Sequence, residues 1–208
     1  MATRKGSADR NNIVGTASAD LIWGYEENDT LHGGAGNDVL YGGAGLDTLF
    51  DGSSGDTLTG EDIDTVIGGG NDTLFGGADS DILYAGVGRD LIYGGADADF
   101  MYGGPGADRL YGGAGWDGFF GGNGNDTFIG GSGGGVYIFL KGMGHDTVVD
   151  FKPGIDGIAV LNAGKPLVTV TQVADDLKIS AEGIGSLLLV GIHKSAFDVH
   201  DIDYGHWP

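Results

Sequence analysis

Residues 33–50 read GGAGNDVLY followed by GGAGLDTLF. This is one nine-residue unit written twice. Glycines stand first, second and fourth, an aspartate sixth and an apolar residue eighth. In the first copy these are Gly33, Gly34, Gly36, Asp38 and Leu40; in the second they are Gly42, Gly43, Gly45, Asp47 and Leu49. Working outward, the frame extends from Gly15 to Ile138 in fourteen near-consecutive copies. The first two, GTASADLIW and GYEENDTLH, lose glycines but keep Asp20, Ile22, Asp29 and Leu31. Terminal repeats of a stacked array are usually atypical in this way. DGSSGDTLT (51–59) keeps Asp56 and Leu58, while GEDIDTVI (60–67) and GGGNDTLF (68–75) are each one residue short. In GGSGGGVYI (130–138) Gly135 stands where the aspartate belongs.

The eighth positions are Ile22, Leu31, Leu40, Leu49, Leu58, Val66, Leu74, Leu83, Ile92, Met101, Leu110, Phe119, Phe128 and Tyr137, all apolar or aromatic. One buried residue in nine is too sparse for a helix face. A three- or four-residue strand with its middle side chain turned inward fits, because side chains alternate across a strand. Glycine-rich turns between such strands let the backbone take positive φ. Two repeats then make one coil, with a strand on each side and a glycine loop at each edge. No coil buries its inner face alone, so stability comes from stacking.

Composition narrows the partners. The 208 residues contain 45 glycines, about three times the usual share of roughly 7%. A disordered acidic segment is the competing reading, and 40% hydrophobic residues in register with the glycines oppose it. A net charge of −20 repels nucleic acid and favours cations. Cysteine is absent, so disulfides and thiolate metal sites are excluded. No apolar run approaches the roughly 20 residues of a membrane span. The start, MATRKGSADRNN, has no apolar segment behind it and does not read as a signal peptide.

The nonapeptide G-G-x-G-x-D-x-U-x resembles the calcium-binding repeat of RTX (haemolysin-type) proteins. The resemblance implies an all-β fold: a right-handed parallel β-roll with a C-terminal β cap, of seven coils over about 30 Å. The expected division is a flexible lead-in at 1–14, the roll at 15–138, and a cap with a secretion signal at 139–208.

The resemblance also implies the ligands. Each calcium ion is clamped between loops of adjacent coils. One loop gives carbonyls from its second and fourth residues and its aspartate; the loop two repeats later gives carbonyls from its first and third residues and its own aspartate. One edge would use Asp20, Gly34, Gly36, Asp38, Asp51, Ser53, Asp56, Asp72, Gly86, Gly88, Asp90, Gly103, Gly104, Pro105, Gly106, Asp108, Gly121, Asn123 and Asp126. The other would use Asp29, Gly43, Gly45, Asp47, Asp64, Gly77, Asp79, Asp81, Gly94, Gly95, Ala96, Asp97, Asp99, Gly112, Ala114 and Asp117. Asp146 and Asp150 fall in the end-piece, near Phe151 and Asp156, where the family places acidic and aromatic residues. Calcium suits such all-oxygen sites. About ten divalent ions would offset the charge of −20. Weak or missing ions are expected around the short repeats at 60–75, and the site that lacks an aspartate at Gly135 is expected to fail. Asp79 and Asp97 replace the fourth glycine, where aspartate tolerates left-handed geometry. Solvated turn aspartates are the plainer alternative.

Other features give less. The ninth positions, Trp23, Tyr41, Phe50, Phe75, Tyr84, Tyr93, Tyr102, Tyr111 and Phe120, form an outward aromatic stripe. It reads as cross-strand packing or as a sugar-stacking face. Threonines at seventh positions lack the regular rows of an ice-binding face. Ser53 and Ser54 lie in a loop, not in a G-x-S-x-G elbow. His193, His200 and His206, with Asp201, match no standard metal spacing. An enzyme is not expected. The expected function is a secreted calcium-binding roll that folds outside the cell, exported by type I secretion machinery and engaging surface or matrix partners. The alternative is a polysaccharide-binding module.

Overall fold

The computed structural model describes residues 1–61, 65–67, 69–140, 142–160, 168–181, 185–198 and 202–203. Asp64, Asp201, His200 and His206 lie outside them. The described chain is a parallel β-solenoid of about eight turns. Successive strands go alternately to two sheets, twelve strands in one and ten in the other among the described residues. Pairing is parallel throughout the described repeats, with a partner 18 residues away where the units are full length, as in Leu110↔Phe128.

Alternation along each three-residue core segment sets the interior. Apart from Val66, whose side chain is not described, the eighth-position residues from Ile22 to Tyr137 are all fully buried. On either side of Leu110, Arg109 is exposed and Tyr111 half-buried. Full burial of such a side chain is favourable by about 1.5–3 kcal/mol, so one residue per strand suffices to hold the two sheets together once coils stack. Towards the C-terminal end the core changes from leucine to Phe119, Phe128 and Tyr137, and Phe119 stacks on Tyr137 with centroids 4.8 Å apart.

Three differences from the expected layout concern the ends and the short repeats. Residues 1–14 are not wholly a lead-in: Ala2–Lys5 pairs with the strand Asp20–Glu26, and Asn12–Val14 with Thr30–Ala35. The physical reason is visible at Asn11, whose N–H donates to Asp29 Oδ1 at 2.6 Å, as aspartates do in later coils. The short repeats are absorbed as a change of step, Thr57 pairing with Thr73 and Thr48 with Thr65. At the far end Val168–Val173, Asp176–Ala181 and Gly185–Leu189 form the expected antiparallel cap. The last of these strands also pairs in parallel with Gly144–Val148.

The aromatic stripe is two self-stacked ladders. Phe75, Tyr93 and Tyr111 stack with centroid spacings of 5.0 and 4.8 Å on one sheet. On the other, Tyr84 and Tyr102 stack at 4.5 Å. Ring faces are therefore spent on neighbouring rings.

Candidate metal centres on the two loop edges

Each repeat places its aspartate at the junction between loop and strand, and the structure uses the carboxylate to tie coil to coil. Asp90 N–H donates to Asp108 Oδ1 at 2.9 Å, and Asp108 N–H donates to Asp126 Oδ1 at 2.9 Å. The same bond runs from Asp20 through Asp38, Asp56 and Asp72 to Asp90 at 2.6–2.9 Å. It ends on Asp146, which accepts from Asp126 N–H at 2.9 Å. On the opposite edge Asp29 donates to Asp47, Asp81 to Asp99, and Asp99 to Asp117. The short repeats do not break the row: Asp56 reaches Asp72 across 16 residues instead of 18.

These are not solvated turn residues. Asp108 is 1% exposed and Asp117 is fully buried. In ten of these aspartates one oxygen is spent on the ladder. The other, Oδ2 in Asp29, Asp38, Asp56, Asp72, Asp90, Asp99, Asp108, Asp117, Asp126 and Asp146, is buried and accepts no hydrogen bond among the described residues. Leaving a charged oxygen buried without a partner is costly. Burial is the largest cause that pushes the carboxyl groups up, to about 7 for Asp99 and Asp108 and about 6 for Asp56, Asp90, Asp117 and Asp126. Asp146 rises to about 8 for the same reason. Asp20 differs: its carboxyl is lowered, first by the Thr16 hydroxyl, which donates to Oδ2 at 2.7 Å.

Carbonyls converge on the orphaned oxygens. A Cβ built on Gly103 would lie 2.5 Å from Asp108 Oδ2 and 2.6 Å from Gly121 O. One built on Gly33 would lie 2.5 Å from both Asp38 Oδ2 and Asp51 O. The first-position glycine thus leaves a cradle bounded by a carboxylate oxygen and a carbonyl of the next coil. The remaining loop positions are held in register: Gly34 pairs with Gly52, Gly43 with Tyr25, Gly77 and Ala96 with Gly95 and Ala114, and Gly88 with Gly106. Pro105 O and Asn123 O accept N–H groups from Gly88 and Gly106 at 3.0 and 2.7 Å, each carbonyl keeping a second lone pair. Gly104 adopts φ +102°, and Asp79 and Asp97 take left-handed values of 65° and 66°, as expected of aspartate there.

The donor set is buried, oxygen-only, anionic and partly unpartnered, and it fits hard divalent cations of calcium's size. The geometry brings together Asp108, Gly121 and Asp126, three of the residues assigned to one inter-coil site. Asp150 is placed differently from Asp146. Its two oxygens accept the Gly130 and Gly131 N–H groups at 2.7 and 2.8 Å, so it caps a loop.

Two residues join the site that the sequence did not assign to it, Asp156 having been read only as an acidic residue of the end-piece and Lys152 not at all. Asp156 occupies the row where the repeat aspartate is absent, accepting from Gly135 N–H at 2.9 Å. Its spacing of 21 residues, outside the nonapeptide frame, hid it. Lys152 delivers its ammonium to the carbonyls of Gly131 and Gly133, the latter at 2.6 Å. Those are the second- and fourth-position carbonyls of the one loop that lacks its own aspartate. A lysine cation thus sits at the carbonyl positions that the family resemblance assigns to a metal in the preceding loops.

Stacked parallel coils and two edges of carboxylates and carbonyls define a β-roll built to hold hard cations. The repeat model described as RTX calcium-binding nonapeptide repeat matches residues 5–40, 41–62, 66–101, 93–128 and 102–136. The chain belongs to that family and is a calcium-binding repeat module. No curated protein sequence matches it. Among solved structures it is similar to the extracellular lipase LipA of Serratia marcescens, at 15% identity and a TM-score of 0.44, covering 96% of this chain and 40% of the lipase. It is also similar to the AlgE6R3 subunit of the Azotobacter vinelandii mannuronan C5-epimerase, at 17% identity and a TM-score of 0.32, covering 96% of this chain and 81% of that one. The chain thus spans well under half of the lipase.

Proposed function

We propose that this chain is a non-enzymatic folding module that stays unfolded inside the cell, is exported by type I secretion machinery, and folds outside on binding about ten calcium ions. The observation behind this reading is the double row of buried aspartates, ten of which keep an Oδ2 that accepts no hydrogen bond among the described residues. Residues 11–140 hold 20 acidic side chains against Arg89 and Arg109. Stacking them without cations crowds like charges in a poorly solvated row, while the glycine loops lose much conformational freedom on ordering. Cations that bind the folded form alone shift the equilibrium towards it. Extracellular calcium modules typically bind near 10⁻⁴–10⁻³ M, so a calcium-poor cytoplasm would leave the chain unfolded and able to thread an exporter.

Circular dichroism of the full chain during a calcium titration tests this. A cooperative rise of β signal, reversed by EGTA and poorly reproduced by magnesium, is expected, since magnesium demands tighter octahedral geometry. A β-rich spectrum indifferent to excess EGTA refutes it. Polysaccharide binding is the weaker reading, because the face of Tyr93 is covered on both sides by Phe75 and Tyr111.

A further inference from the structure

Asp51 departs from the repeat. The first position of a unit is glycine elsewhere except at Ala85, and in the regular loops a Cβ at that position would enter the cradle. Here a whole carboxylate does. One oxygen each of Asp51, Asp56 and Asp72 lie within 4.8 Å of one another. The three residues are 1%, 3% and 2% exposed. The trio lies beside the short repeat 68–75, where the aspartate falls fifth in its unit.

The hydrogen bonds of the trio leave acceptors over. Asp56 Oδ1 takes Asp38 N–H at 2.6 Å, and Asp72 Oδ1 takes Asp56 N–H at 2.9 Å. Asp51 Oδ2 takes Gly69 N–H at 3.2 Å. Among the described residues, Asp56 Oδ2 and Asp72 Oδ2 are buried and take none. A single proton shared between Asp51 and Asp72 would satisfy one of these oxygens and leave Asp56 Oδ2 a buried charge without a donor. A cation with several oxygen ligands satisfies them all.

We infer that Asp51, Asp56 and Asp72 form a three-carboxylate site for a hard, oxygen-seeking cation, distinct from the two-carboxylate sites of the regular loops. It fills first and prefers trivalent over divalent ions of similar size, because affinity in such sites follows the ligand charge count. The inference deepens the calcium-module reading and rests on it for the native ion, calcium. It reverses the expectation that the irregular repeats bind ions weakly.

Terbium(III) luminescence on the full chain, with calcium competition, tests the site in the wild type, in Asp51→Gly and in Asp51→Asn. Asp51→Gly restores the residue that the repeat itself prefers, so it preserves the loop. The wild type is expected to bind one terbium ion at least tenfold more tightly than the rest. Both variants are expected to lose that class while the weaker terbium sites of the regular loops remain. A uniform set of sites in the wild type, or a first equivalent bound as tightly by Asp51→Gly, overturns the inference. So does unchanged tight binding in Asp51→Asn, which means that Asp51 serves only as a hydrogen-bond donor to Asp72. A wild type that shows the tight class but no calcium-induced folding sinks the module reading and leaves the site standing.

Discussion

Gly103→Ala separates cation binding from backbone geometry. Gly103 lies outside the left-handed region, so alanine there adds no φ strain. Its methyl would stand 2.5 Å from Asp108 Oδ2 and 2.6 Å from Gly121 O. Carbon and oxygen settle no closer than roughly 3.3 Å, so the overlaps are about 0.8 and 0.7 Å. Neither oxygen is free to retreat. Gly121 O accepts Gly104 N–H at 2.8 Å, and Asp108 Oδ1 is tied to Asp90 N–H at 2.9 Å. Overpacking of this kind costs about 1–3 kcal/mol, a factor of about 5–150 in an equilibrium constant. The methyl also fills the space in which a cation would meet both oxygens. Equilibrium dialysis and a calcium titration by circular dichroism should find one bound ion fewer and a midpoint raised at least about fivefold. Gly157→Ala is the control, because its nearest new neighbour, Val136 Cγ2, is at an ordinary 3.8 Å. If the two variants share the same ion count and midpoint, the cradle is not a cation site.

Three further outcomes follow from the same geometry. Without calcium the folded carboxylates sit raised at about 6 for Asp126 and about 7 for Asp108, against 3.8 when unperturbed. The ion-free fold therefore holds protons more tightly than the unfolded chain, and its stability is lost as pH rises from about 4 through about 7. Circular dichroism in EGTA should show more β structure at pH 5 than at pH 8, and a flat profile contradicts the burial argument. Leu110→Asp puts an unpaired charge in a fully buried position and should abolish the calcium-induced transition. Tyr111→Ser forfeits mainly a ring stack with Tyr93, about 0.5–1.5 kcal/mol; equal losses in melting temperature would contradict the inward and outward assignment. Lys152→Met removes the ammonium from Gly131 O and Gly133 O and should destabilise the calcium-loaded protein by about 1 kcal/mol, read as a lowered melting temperature. An unchanged value would mean that the lysine is not a working substitute for a cation.

The nine-residue period made the fold legible because one observable, an apolar residue at every eighth position, fixes strand, inward face and coil length together. Leu40 and Leu110 could be placed in the core from spacing alone, and both are fully buried. The aspartate rows were legible for the same reason. What the period could not reveal is how the frame copes with its own defects. The deletion before Asp72 looks like damage to an ion site. In three dimensions Asp51 meets Asp56 and Asp72 beside it, adding a carboxylate where the linear pattern seemed to lose order.

The missing aspartate at Gly135 shows the same logic at the end of the roll. A stack of coils that bind cations between neighbours must stop somewhere, and the last loop presents carbonyls with no further repeat to share an ion. Asp156 restores the hydrogen bond to the Gly135 N–H, and Lys152, four residues earlier, brings a covalently attached cation to the carbonyls. The two are themselves joined, Lys152 N–H donating to Asp156 Oδ2 at 2.7 Å. The segment 150–156 thus reproduces both halves of a loop site, the anionic acceptor and the cation, from one continuous stretch of chain. At this loop the polypeptide itself brings a positive charge to the Gly131 and Gly133 carbonyls.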